Sequence, residues 1–97
     1  MKMLYAVYSE YEPIHIDKVR EKVREYYEDR ENHPEKYPKQ VFEPHNLAGG
    51  PRAIQIVEAT YEQLLNLRKI RMPYTKYEFV PIYKSSELAE RFSFSNT

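Results

Sequence analysis

The hydrophobic positions change period along the chain, from two to between three and four and back again. Met3 to Tyr11 (Met-Leu-Tyr-Ala-Val-Tyr-Ser-Glu-Tyr) predicts a strand. Leu4, Ala6 and Tyr8 fall on one alternating face, and Met3, Tyr5 and Val7 on the other. A strand with two apolar faces must be covered on both. Pro13 and Asp17 mark a helix entry, with Asp17 the expected N-cap. From there Ile16, Val19, Val23, Tyr26, Tyr27 and Arg30 recur at helical spacing and give one apolar stripe. Lys18, Glu21, Lys22, Arg24, Glu25 and Glu28 form its outer face. Asn32-His33-Pro34 ends this helix.

Lys39 to His45 predicts a short second strand, and Arg52 to Ala59 a third. Asn46 to Pro51 between them is a turn, because Gly49-Gly50 supplies positive φ at low cost. Thr60 and Gln63 have the spacing of a capping box, in which each closes a backbone N–H at the start of a helix. Tyr61, Leu64, Leu65 and Arg68 are its expected inner face, and Pro73 stops it. Tyr74 to Tyr83 predicts a fourth strand. Ser85 or Ser86 then caps a short last helix with Leu88, Ala89 and Phe92, before a frayed tail.

The predicted order is β-α-β-β-α-β with a C-terminal helix. That is the α+β, ferredoxin-like arrangement of one antiparallel sheet, here a single domain over residues 1–92 with a flexible tail over 93–97. Right-handed crossovers put the first and third strands at the centre and the second and fourth at the edges. Pro44 and Pro81 agree, since an edge strand tolerates a missing donor.

Both helices of such a fold cover one sheet face. The other face is also apolar, whichever of Leu4/Ala6/Tyr8 or Tyr5/Val7, and of Tyr77/Phe79 or Val80/Ile82, it carries. A soluble monomer seldom exposes such a patch. Burying ~600 Å² of it per chain is worth about 15 kcal/mol before association costs. A homodimer through the open sheet face, closing a dimeric α+β barrel, is therefore expected.

Composition narrows the classes. The 97 residues carry 15 Lys+Arg against 15 Asp+Glu, so the formal net charge is zero and no nucleic-acid partner is expected. The absence of Cys excludes disulfides, thiol nucleophiles and Cys-ligated zinc. No apolar run reaches the length of a membrane span, so no membrane partner is expected. The start, Met1-Lys2-Met3-Leu4-Tyr5, runs straight into a strand pattern, which makes the cytoplasm the expected compartment. High charge, seven Pro and only two Gly resemble the profile of proteins from hot environments.

His45 is the leading candidate for chemistry. An imidazole at a strand end beside a Gly-Gly hairpin suits a general base or a ligand-orienting group. Asn46 follows it and has an amide that can meet a carbonyl or oxyanion. Tyr5, Tyr8 and Tyr77 are the tyrosines placed best to line a ligand cavity near the sheet. The more ordinary roles are hairpin hydrogen bonding for the His and core packing for the Tyr set. His15, His33 and His45 lack metal-ligand spacing, so no metal and no cofactor are expected.

Four segments carry a family resemblance: Met-Lys-Met-Leu-Tyr-Ala-Val-Tyr at the start, Pro44 to Ala53, Ile56 to Thr60, and Phe79-Val80-Pro81-Ile82-Tyr83. They resemble a family of the dimeric α+β-barrel group known only as a domain of unknown function. The likeness spans roughly residues 1 to 83. That family often has Trp before the His, where this chain has Pro44. The resemblance implies the fold and a dimer with a cavity between sheet and helices, and it implies no reaction.

The expected function is that of a small dimeric protein binding a small ligand near the sheet. The alternative is a structural or regulatory interaction module without catalysis. The haem-degrading barrels use an Asn, Trp and His set, which a chain without Trp cannot supply. RNA-recognition motifs share the element order, but the third strand here, Arg52 to Glu58, has no aromatic side chain for base stacking. Acylphosphatase chemistry needs a loop Arg after the first strand, and Tyr11 to His15 contains none.

Overall fold

The computed structural model describes residues 1–87. The expected C-terminal helix positions Leu88, Ala89 and Phe92 and the tail 93–97 lie outside the described residues. The chain is α+β. Strand β1 (Met3–Glu10) leads through a 3-10 turn (Pro13–His15) into helix α1 (Ile16–Asn32). A second 3-10 turn (Pro34–Lys36) precedes β2 (Lys39–Asn46), which pairs with β3 (Arg52–Ala59). Helix α2 (Tyr61–Arg71) and strand β4 (Lys76–Pro81) follow. The four strands form one antiparallel sheet in the order β2-β3-β1-β4, so β1 and β3 are central.

Local chemistry sets the helix ends. The Thr60 hydroxyl accepts from the Gln63 N–H at 3.2 Å, and the Gln63 side chain accepts from the Thr60 N–H at 2.9 Å. This reciprocal pair satisfies two donors that the first turn of α2 leaves unpaired. Helix α1 starts one residue before the expected cap. His15 holds the N-cap position without a side-chain cap bond, and Asp17 lies inside the first turn. There its carboxylate faces the positive end of the helix dipole.

Side-chain packing selects which sheet face the helices cover. Val7, Val57, Ala59 and Leu64 form one buried cluster, and Tyr26, Tyr37 and Leu67 another. Tyr77 and Phe79 of β4 pack against both. The covered face of β1 is therefore Tyr5 and Val7, and that of β4 is Tyr77 and Phe79. On α2 the buried positions are Leu64 and Leu67, while Tyr61 is 69% exposed. At about 100° per residue, Tyr61 sits about 90° from the midpoint of those two leucines, so its ring rotates out of the stripe. Tyr27 of the expected α1 stripe is likewise exposed, beside buried Tyr26.

Two polar ties hold the turn after α1 onto α2. The Asn66 amide donates to the Lys36 carbonyl at 2.8 Å, and the Gln63 amide donates to the Glu35 carbonyl at 3.1 Å. The Tyr37 hydroxyl donates to the Asp29 carboxylate, which also accepts from Lys36 at 3.2 Å. Strand β4 is shorter than the sequence suggests, because Tyr74 and Thr75 belong to the exit from α2, where the Thr75 N–H bonds the Arg71 carbonyl.

Candidate functional site

The face of the sheet turned away from the helices can be read from its register. Cross-strand partners share a face, so four rows of side chains run across it. At one end Glu10 lies between Arg52 and Lys76. The next row is His45, Ile54, Tyr8 and Glu78. The third is Phe42, Ile56, Ala6 and Val80. The fourth holds Lys39, Glu58 and Leu4. The two middle rows are apolar except for His45 and Glu78, and charged rows frame them at both ends. The face carries three bases (Lys39, Arg52, Lys76) and three acids (Glu10, Glu58, Glu78), so it has no net sign.

Exposure along these rows is uneven. Tyr8 and Phe42 are 38% and 43% exposed, while Ala6, next to Tyr8 along β1 and across Ile56 from Phe42, is 8% exposed. The small Ala6 side chain sits among the larger Leu4, Tyr8, Ile56 and Val80. The result is a shallow apolar depression at the centre of the open face.

Two register shifts in β2 decide what stands beside that depression. One lies between Gln40 and Phe42, the other between Phe42 and His45. Each inserts an extra residue against β3. Phe42 then opposes Ile56 and His45 opposes Ile54, on the same face. Their rings stack at 4.4 Å between centroids, with 8° between planes. The His45 Nδ1 lies 2.6 Å from the Glu43 carbonyl oxygen. A carbonyl only accepts, so Nδ1 carries the hydrogen and Nε2 of the neutral ring is left as an acceptor.

The other expected site residues separate from His45. The Asn46 side chain donates to the Gly50 carbonyl at 3.1 Å, which ties the hairpin rather than presenting an amide to a ligand. Tyr8 shares the open face with His45, on the far side of Ile54. Tyr5 and Tyr77 are on the opposite, helix-covered face. Burial pushes the Tyr77 hydroxyl up to about 12, against the smaller opposing pull of nearby Arg71. Phe42 was not among the candidates, and the one sequence signal for it is Pro44 inside the strand, which is a mark of irregular pairing.

The charged groups between the helices serve the fold. The Tyr37 hydrogen bond, followed by that from Lys36, holds the Asp29 carboxyl below its ordinary range. Burial, followed by the hydrogen bond to Asp29, pushes the Tyr37 hydroxyl above its ordinary range. Among the described residues no group of three His, Asp or Glu converges on a point where a metal could sit. No helix among them is long and apolar enough to cross a membrane.

The chain matches no family model, and comparison with curated proteins and with solved structures likewise gives no match.

Proposed function

We propose that this chain is a homodimeric ferredoxin-like module in which two copies pack open sheet face to open sheet face. The observation that carries this reading is the apolar middle of that face: Phe42, Ile56, Ala6 and Val80 in one row, with Ile54 and Tyr8 beside them. With strands ~4.8 Å apart and ~3.3 Å of rise per residue, the face has a footprint of about 500 Å². That is of the same order as the ~800 Å² each partner buries in a stable pair.

A second copy suits this face better than other occupants. Its balanced charges give no field to attract a polyphosphate, and the chain as a whole is neutral. The sheet edges are poor docking sites for a further strand. Strand β2 is broken by two register shifts and Pro44, and β4 carries Pro81. Bulges and prolines are the ordinary means of blocking edge pairing. The likeness of segment 44–53 to a hairpin of the dimeric α+β-barrel group supports the same assembly.

Within such a pair, the wall formed by Tyr8, Phe42 and His45 suits a small, mostly apolar ligand. His45 Nε2 and the Tyr8 hydroxyl are the polar contacts on that wall. The test of the assembly is sedimentation velocity at micromolar concentration. A species of twice the chain mass supports the reading, and a monomer overturns it.

A further inference from the structure

A cavity lies at the sheet end, where three connections meet that are remote in sequence. It encloses about 270 Å³, the volume of roughly nine waters at ~30 Å³ each. Its lining includes Tyr11, His15, Pro73 and Tyr74, together with the carboxylates of Glu10 and Glu12 and the ammonium of Lys76. The Tyr11 N–H bonds the Pro51 carbonyl at 3.2 Å, which fastens the exit of β1 to the entry of β3. The His15 and Tyr74 rings are 5.4 Å apart at an angle of 53°, which joins the entry of α1 to the exit of α2. His15 Nε2 lies 3.8 Å from the Glu12 carboxylate.

We propose that this cavity binds a free amino acid with an aromatic or branched apolar side chain. The chemistry of the walls argues for a zwitterion. Tyr11, Tyr74 and Pro73 offer flat, apolar surface to a side chain, and an aromatic face also attracts an ammonium group. Glu12 supplies an anion for that ammonium, and Lys76 a cation for a carboxylate. Lys76 is the cross-strand neighbour of Glu10, so the β1–β4 ladder holds its stem beside the cavity. Prolines at positions 13, 51 and 73 in the surrounding connections limit the backbone freedom lost on binding.

Lys76 and its neighbour Glu10 border both this cavity and the open face, so sedimentation velocity of the Lys76→Glu variant separates a loss of binding from a change in the assembly. Isothermal titration calorimetry with L-phenylalanine should give saturable binding in the micromolar to millimolar range. Phenethylamine, which lacks the carboxylate, and 3-phenylpropionate, which lacks the ammonium, should each bind at least tenfold more weakly. Lys76→Glu should abolish binding of phenylalanine while leaving the melting temperature within a few degrees. Tyr74→Ala should weaken binding about tenfold, with its folding checked by circular dichroism. Absence of binding by a panel of aromatic and branched L-amino acids at 10 mM overturns the proposal. Binding of phenethylamine as tight as that of phenylalanine also overturns it, because the site would then recognise only a cation.

Discussion

Phe42 and His45 are three residues apart on β2, yet their rings stack on the same side of the sheet. Regular alternation would send them to opposite faces. The extra residue between them restores the parity, and the Glu43 carbonyl, held by His45 Nδ1, fixes the ring against Phe42. An aromatic pair therefore stands at the rim of the apolar depression around Ala6.

The pair offers a direct probe of the proposed dimer. Phe42→Glu would bury an unpaired carboxylate in the interface, at a cost of ~3–5 kcal/mol. At about 1.4 kcal/mol per decade, the dimer should weaken at least ~100-fold. Val41→Glu, at the position inserted between ladder pairs, should leave the dimer within about threefold of the wild type. Sedimentation equilibrium of the two variants separates a face-specific effect from a general one.

The buried side of α2 is testable in the same manner. Leu67→Ala removes a fully buried side chain and should cost ~2–5 kcal/mol in urea unfolding. Tyr61→Ala, a change at an exposed position, should stay within ~0.5 kcal/mol. Equal losses for the two would place Tyr61 in the core.

The capping box makes a sharper local prediction. Thr60→Ala removes the acceptor of the Gln63 N–H and should destabilise the fold by about 1 kcal/mol. Thr60→Ser keeps the oxygen and should recover most of that loss. Chemical denaturation of both variants checks the pair.

Tyr77 sets an expectation for alkaline pH. Its folded hydroxyl is raised from 10.0 to about 12 by burial. The phenol is therefore protonated more firmly in the folded chain than in the unfolded one. Its contribution to stability is complete below pH 10 and is lost as pH rises toward 12. Tyr77→Phe should lose less stability than the wild type over that interval, measured by urea midpoints at pH 9, 10 and 11. Asp29, held low mainly by the Tyr37 hydrogen bond, works in the opposite direction. Its contribution is present above the ordinary carboxylate range and is lost as pH falls through its lowered folded value.

Much of the fold is legible from residue patterns. Arg52–Ala59 coincides with the expected third strand, because a β-prone run between Gly-Gly-Pro and a capping box has sharp limits on both sides. The choice of sheet face was not legible. Both parities of β1 and β4 are apolar, and only the packing of Leu64, Leu67 and Tyr26 shows which set is covered. The Phe42–His45 stack was hidden for a different reason: a bulge changes the parity that any alternation argument assumes. The cavity at the sheet end joins residues 10–15, 51 and 73–76, and no local pattern links segments so far apart.

An outer strand is ordinarily the first part of a sheet to come loose. Here Tyr77 and Phe79, both on such a strand, touch the two halves of the interior. Peeling β4 away would empty a wall of each half together, so the last strand of the sheet works as a keystone. Its amides should resist hydrogen exchange about as long as those of β1 and β3, and the molecule should open as one unit rather than from its margin.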